Sequence, residues 1–388
     1  MNFSFFKDKT LIGKILFSIY NVLSIILLNF FVSAESAGNF LYFSSQILLV
    51  ATFSRLGSDF YWASSETPKK IRIVNTELIT HSLINIVVSL IFNATIYTGN
   101  ITDFFLILMA IVSSNFMQIM GRHFQKHDKH VISLFLFTVG PIGVSVPLLI
   151  LIDGLPIMAI IVISNLSICL PFLFNFLSHV EFEIEEGTFL KRLSFMPMLA
   201  FGICNQHLIT QLSGLNAREA DIAMLVLVQR ISGLISWPMV LFMQTNLLQL
   251  NKSSKSQDLF VLNIKKYFIK YSPVLALLTT ISILSSVIFI HFDSGLSYTE
   301  FFAILAITLG SLTNAMFAFV QYQMGVKGMI TELSLIILFS LLVAVSCYYI
   351  LNGSIISASV SFLIFHLLTH SISTVSLARK ISKGQEVS

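Results

Sequence analysis

Blocks of roughly 18 to 25 mostly apolar residues recur along the whole chain, separated by short polar breaks. Each block is long enough for an α-helix, rising about 1.5 Å per residue, to cross a hydrocarbon layer about 30 Å thick. No other feature constrains the fold so tightly, because backbone groups within lipid must be satisfied inside their own segment or a closed barrel. A β-barrel is excluded: its strands would be shorter and would alternate apolar with polar residues. Of the 388 residues, 55% are hydrophobic and only 11% charged, which leaves too little polar surface for a soluble domain. The sequence therefore describes an all-α polytopic membrane protein.

The apolar runs and their breaks define twelve spans, at about 11–31, 37–61, 77–97, 103–121, 131–152, 156–177, 194–213, 220–246, 268–291, 298–323, 329–351 and 354–377. Alternate connections differ in charge. One set carries Lys69, Lys70 and Arg72, then Arg122, Lys126 and Lys129, then Lys191 and Arg192, then Lys252, Lys255, Lys265 and Lys266, then Lys327. The other set is short and neutral or acidic, apart from Arg218 beside Glu219 and Asp221. An excess of Lys and Arg marks the cytoplasmic side, so both termini are expected inside. The basic start "MNFSFFKDKTLIGK" runs into a long apolar segment without a small-residue cleavage site, and reads as a retained first span.

All loops are too short for a soluble domain, and neither GxxxxGK[ST] nor HExxH occurs. Cys169, Cys204 and Cys347 lie in apolar blocks without a CxxC, which excludes a zinc site and argues against disulfides. The net charge of +4 reflects the loop asymmetry rather than a nucleic-acid footprint, and no nucleic-acid partner is expected. No cofactor is expected either.

A shift of 183 residues lays "SAESAGNFLYFSSQI" over "NAREADIAMLVLVQR", matching Ala34, Ala37 and Gln46 to Ala217, Ala220 and Gln229. Six spans plus six make two lobes of the same topology, a parallel repeat. The expected division is an N-terminal lobe over 1–180, a cytoplasmic linker over 181–193 and a C-terminal lobe with a short tail over 194–388.

These same segments carry a family resemblance. "FFVSAESAGNFLYFSSQILLVATFSRLGSDFYWASSE" (Phe30 to Glu66) resembles the opening of Wzx-type O-antigen and polysaccharide flippases, members of the multidrug/oligosaccharidyl-lipid/polysaccharide (MOP) exporter superfamily. The shared features are the step Gly38-Asn39-Phe40, a long apolar run and the ending Arg55-Leu56-Gly57-Ser58-Asp59. The second segment is similar to the start of that family's second lobe, including Arg230, but has Asp221 and Ala223 where Gly and an aromatic are common. The resemblance implies a MATE-like fold of two six-helix lobes in a V around a central cavity that opens alternately to each side. It implies no enzyme activity. The implied cargo is a polyprenyl-pyrophosphate-linked glycan such as an O-antigen repeat unit, moved between leaflets of the bacterial inner membrane. Membrane lipid, a polysaccharide polymerase and a chain-length regulator are the implied partners, and coupling to an H⁺ or Na⁺ gradient is the implied energy source.

The polar residues within the spans are the candidate site. Arg230 falls about 13 Å into span eight, near mid-membrane, where an unpaired charge is costly. No carboxylate is expected at that depth, so Arg230 is expected to face a hydrated cavity, its guanidinium fork suited to pyrophosphate oxygens. The alternative is a structural arginine satisfied by backbone carbonyls. Gln229 adjoins it but points about 100° away. Span seven brings Gln206, His207 and Gln211, which either line the cavity or join helices. Asn21 and Gln46 extend the candidate cavity lining, while His81, Asn85, Asn115, Gln118, Asn165, Asn314 and Gln321 read individually as interhelical glue. Arg55 falls about 27 Å into span two, where it is expected to snorkel to the inner interface with Asp59 as its i,i+4 partner. His366 and His370 stand i,i+4 on span twelve, either as core histidines or, with Glu77, as proton-coupling groups. Pro141, Pro147, Pro171, Pro197, Pro238 and Pro273 lie in or at the ends of spans, where they kink helices.

Three rivals remain. A glycan polymerase would need a large outer loop, and a major-facilitator transporter would carry a GxxxD-R-x-G-R-R loop; neither is present. A multidrug exporter would share the fold, but a cationic drug site calls for a buried carboxylate.

Overall fold

A computed structural model describes residues 9–55, 71–95, 100–126, 129–152, 154–178, 180–183, 207–215, 219–236, 257–294, 296–326 and 328–382. The chain forms two compact units, Met1–Ile203 and Cys204–Ser388. The first holds α1 (Lys9–Phe31), α2 (Ala34–Ser54), β1 (Ile71–Val74), α3 (Asn75–Thr95), α4 (Ile101–Lys126), α5 (His130–Thr138), α6 (Ser145–Leu151), α7 (Ile157–Cys169), α8 (Leu173–Leu177) and β2 (Val180–Glu183). The second holds α9 (207–215), α10 (Glu219–Gly233), α11 (Gln257–Ser294), α12 (Tyr298–Val326), α13 (Ile330–Ile350) and α14 (Ile355–Ser382). Among the described residues, six helical segments are long and apolar enough to cross a membrane: Ile101–Phe124, Ile157–Leu177, Ile269–His291, Tyr298–Gln321, Ile330–Ile350 and Ile355–Ser382. Much of span seven and the later part of span eight lie outside the described residues, as does most of the expected linker.

The helices put apolar residues outward. On α13, Leu335, Leu338, Phe339 and Leu342 are exposed at the spacing of one helix face, while Ser340 is fully buried on the other. That is the reverse of a water-soluble bundle, and it fits a lipid-facing surface. In the first unit α4 is central, packing on α2, α3, α5 and α7. One end of this core is aromatic: His123 meets Phe124 and Phe176 edge-on at 5.1 and 5.4 Å, and Phe172 packs on Phe124 at 5.5 Å. In the second unit α12 and α14 form the most extensive pair, with α13 on α14 and α10 against α11 and α12.

Several helices break where proline removes an amide donor. Pro141 lies in a π-helical turn, Val139–Val144, between α5 and α6. Tyr20 on α1 donates its hydroxyl to the Gly143 carbonyl in that turn at 2.8 Å. An apolar groove of about 370 Å³ lies beside it, lined by Leu23, Leu27, Val146 and Pro147 among others. Pro171 lies in the 3₁₀ turn Leu170–Phe172. By contrast α11 runs on through Pro273 without interruption.

One feature of the first unit was not expected. β1 and β2 pair in parallel, Ile71 opposite Val180 through Val74 opposite Glu183. The stretches "IRIV" and "VEFE" alternate apolar with charged residues, a two-residue period that suits strands outside the lipid. Residues 181–183, assigned from sequence to the linker, are thus hydrogen-bonded to the strand leading into α3.

Candidate functional site

Arg230 lies eleven residues into α10, about 16 Å along its axis. One turn beyond it the ladder tightens into a 3₁₀ turn, Leu234–Ser236, where Ser236 donates to the Gly233 carbonyl at 2.7 Å. Pro238 follows in sequence and cannot supply the donor that would continue the α-helix. The residues after Arg230 anchor α10 on its neighbours. Ser232 shares a hydrogen bond with Thr308 of α12 at 3.1 Å, and Ser282 of α11 donates to the Ile231 carbonyl at 3.4 Å.

Arg230 itself is half-buried, and its Nε is buried with no hydrogen-bond partner. Among the described residues no carboxylate pairs with it, and no Asp or Glu is buried at all. His207 of α9 lies within electrostatic reach of Arg230. It is buried, as is Gln229, while Gln211 one turn along α9 is half-buried. The second unit therefore brings Arg230 and His207 together. Gln206 lies outside the described residues.

Arg55 behaves differently. It follows α2 directly, yet it does not snorkel: only 1% of it is exposed. Its Nη1 donates to Asn115 Oδ1 at 3.0 Å and its Nη2 to Gln118 Oε1, both on α4. Asn115 Nδ2 donates in turn to Ser54 Oγ at 2.8 Å and Asn85 Oδ1 at 3.3 Å. Ser54 spends its own proton on the Ala51 carbonyl, which leaves its oxygen free to accept. Asn165 of α7 donates to Ser114 at 2.9 Å and Ser113 at 3.3 Å, joining the next helix to the same stretch of α4. The expected interface anchor is thus an internal one, because two amides on α4 replace water around the guanidinium. Asp59 lies outside the described residues, and so does the side chain of Glu77. Asn21 is half-buried on α1, and Gln46 is bonded to Tyr42 within α2.

His366 and His370 are both buried, at 0% and 1% exposure. Their rings stack 5.9 Å apart at 13°. His370 Nδ1 stands 3.5 Å from Gln321 Nε2 and His370 Nε2 3.3 Å from Asn314 Oδ1, both on α12, and the ring also bonds the Phe317 backbone. Phe362 meets His366 edge-on at 4.4 Å. Gly310 makes room for this packing, since a Cβ there would stand 2.8 Å from the Phe362 ring. The sequence reading did not single out Gly310, Thr308 or Ser232; small residues in a long apolar span carry no sequence signal of a close approach.

No family model matches the chain, and no curated protein matches it. Among solved structures, the chain is similar to the crystal structure of a eukaryotic MATE transporter, AtDTX14, with a TM-score of 0.52. The match covers 96% of this chain and 95% of that one at 13% identity. Together with the apolar spans, this defines a multi-pass membrane protein with a MATE-like fold.

Proposed function

We propose that this protein is a flippase that moves a polyprenyl-pyrophosphate-linked oligosaccharide, such as an O-antigen repeat unit, across the bacterial inner membrane by alternating access. Arg230 carries the proposal. A guanidinium in the last turn of α10 without a carboxylate partner among the described residues, its Nε buried and without a hydrogen bond, is suited to a cargo that brings its own negative charge. Its fork can donate to two pyrophosphate oxygens at once. His207, Gln229 and Gln211 add polar groups around it for the sugar-bearing end, and the repeat unit would pass to a polymerase and a chain-length regulator outside. Both termini face the cytoplasm in this reading, as the basic loops imply.

Deleting the gene and analysing lipid-linked intermediates tests the reading. Full-length lipid-linked repeat units should accumulate in the inner leaflet, and Arg230→Ala should fail to restore export at normal protein abundance. Export at the wild-type level through Arg230→Ala would overturn it. A multidrug exporter shares the fold, but the lack of any buried Asp or Glu among the described residues disfavours a cationic drug.

A further inference from the structure

We propose that the start of α11 is a docking surface for anionic phospholipids, with the ammonium groups of Lys265, Lys266 and Lys270 holding the headgroup phosphate. The length of the helix sets their depth. Helix α11 runs from Gln257 to Ser294, 38 residues or about 57 Å, yet only Ile269–His291 is apolar enough to cross a membrane. Its first turns therefore continue the same helix out of the hydrocarbon. A headgroup layer adds roughly 5–7 Å on each side of the apolar core. Lys266 stands about 4.5 Å and Lys265 about 6 Å outside the Ile269 boundary, measured along the axis. Lys270 is one residue inside it, and its flexible stem reaches the same layer. All three ammonium groups thus belong at the level of lipid phosphates.

Helical periodicity turns them outward. All three lysines are exposed. Lys266 and Lys270 stand i,i+4, and their stripe continues through Leu277, Leu284 and Ile288, which are 60%, 55% and 51% exposed. Lys265 shares a second exposed line with Ile269, at 67%. Leu275 and Ser282 are buried on the side that meets the other helices. An exposed apolar stripe on a membrane-crossing helix faces lipid, so whatever meets the lysines at its end comes from the bilayer. That ligand must bring a negative headgroup for the lysines and hydrocarbon to lie along Leu277 and Leu284. Free phosphate supplies only the first. A glycerophospholipid of the leaflet at that end, read as cytoplasmic from the basic loops, supplies both.

The charge is not spent within the protein. Other basic groups at loop ends are engaged by neighbours: Lys380 stands 3.8 Å from Glu332 Oε1, and Lys129 donates to Asn175 Oδ1 at 3.4 Å. Among the described residues no carboxylate pairs with Lys265, Lys266 or Lys270. Lys270 Nζ stands 5.2 Å from the centroid of the Tyr271 ring, a contact that steadies the side chain without neutralising it. The sequence around them adds to the same field. Between Lys252 and Lys270 stand five lysines and one acid, Asp258, which precedes Lys265 by about 10 Å along the axis. Basic clusters of about this size, directly on the cytoplasmic side of a membrane helix, attract anionic headgroups.

The test is native mass spectrometry of the purified full chain, released from detergent micelles that hold phosphatidylglycerol and phosphatidylcholine in equal amounts. No cargo is present, so the outcome is independent of what Arg230 binds. The wild-type chain should carry phosphatidylglycerol in roughly tenfold excess or more. Lys266→Gln should cut that excess about fivefold, the share of one lysine near an anionic surface. Adding Lys265→Gln and Lys270→Gln should bring it to parity, whereas arginine at all three positions should keep it. Arg379→Gln with Lys380→Gln, a loss of charge at the end of α14, should leave it intact. Equal retention of the two lipids by the wild-type chain would overturn the proposal. An excess that survives the triple glutamine variant, or one lost equally in the Arg379 and Lys380 variant, would do the same. So would release of bound phosphatidylglycerol by farnesyl pyrophosphate at equal concentration, which would give the lysines to a pyrophosphate cargo. The wild-type measurement stands whether or not the variants fold.

Discussion

Replacing Asn115 with leucine should cost the first unit about 3 kcal/mol, most of it through Arg55. Leucine keeps the shape of the side chain but removes three hydrogen bonds: one accepted from Arg55, and two donated to Ser54 and Asn85. The last two are neutral interhelical bonds, worth on average about 0.6 kcal/mol each within a membrane bundle, where the unfolded helices find other partners. The bond from a charged donor is worth about 1.5–3 kcal/mol, and a buried guanidinium that loses an acceptor has no water to replace it. A double-mutant cycle isolates that share. In the Arg55→Met background, Asn115→Leu should cost only about 1 kcal/mol, which leaves a coupling near 2 kcal/mol. Thermal unfolding of the purified chain in a mild detergent measures each corner of the cycle. Equal losses in the two backgrounds would refute the reasoning, because Asn115 would then not be holding Arg55.

Gly310→Ala should destabilise the second unit by about 1–3 kcal/mol, since its Cβ would stand 2.8 Å from the Phe362 ring; adding Phe362→Leu should recover most of the loss in the same unfolding assay. Tyr20→Phe removes the hydroxyl that caps the Gly143 carbonyl, costing about 0.5–1.5 kcal/mol, and hydrogen exchange should quicken at 139–144 rather than across α1.

The spans were legible because lipid imposes one length on every crossing helix, and that length shows directly in the apolar runs. The long helices Ile101–Lys126, Tyr298–Val326 and Ile330–Ile350 overlie the expected spans within a few residues. The proline positions were legible, though Pro147 lies within α6 and Pro197 and Pro238 lie outside the described residues. Their outcome was not: Pro141 sits in a π turn and Pro171 in a 3₁₀ turn, while Pro273 leaves its helix intact, because neighbouring helices decide how freed carbonyls are satisfied. The strands were visible in the alternation of "IRIV" and "VEFE", a signal easily passed over beside long apolar runs. Arg55 was read by depth alone. Its actual surroundings come from Asn115 and Gln118, sixty or more residues away, which spacing along one helix does not reveal. The stacking of His366 on His370 follows from their i,i+4 spacing, but their link to Asn314 and Gln321 depends on how α12 and α14 pack.

Arg55 and Arg230 should respond to removal with opposite signs, and the structure supplies the reason. Arg55 is paired. Replacing it with methionine strands Asn115 Oδ1 and Gln118 Oε1 among buried neighbours, and each lost charge-assisted bond costs about 1.5–3 kcal/mol. Arg230 has no carboxylate partner among the described residues, and its Nε has no hydrogen bond to lose. Methionine at 230 keeps the unbranched stem, removes a half-buried charge from the last turn of α10 and leaves the Ser232–Thr308 bond in place, so the second unit should hold its stability or gain some. Unfolding the two variants side by side in one detergent tests this, and binding of farnesyl pyrophosphate measured on the same samples separates stability from function. Arg55→Met should unfold earlier. Arg230→Met should unfold at or above the wild-type temperature while binding of the pyrophosphate falls at least tenfold, the loss expected when a bidentate charge-assisted contact worth about 1.4 kcal/mol or more disappears. A marked loss of stability in Arg230→Met would mean that the guanidinium is structurally satisfied, and its role as the receptor for an anionic cargo would fall with it.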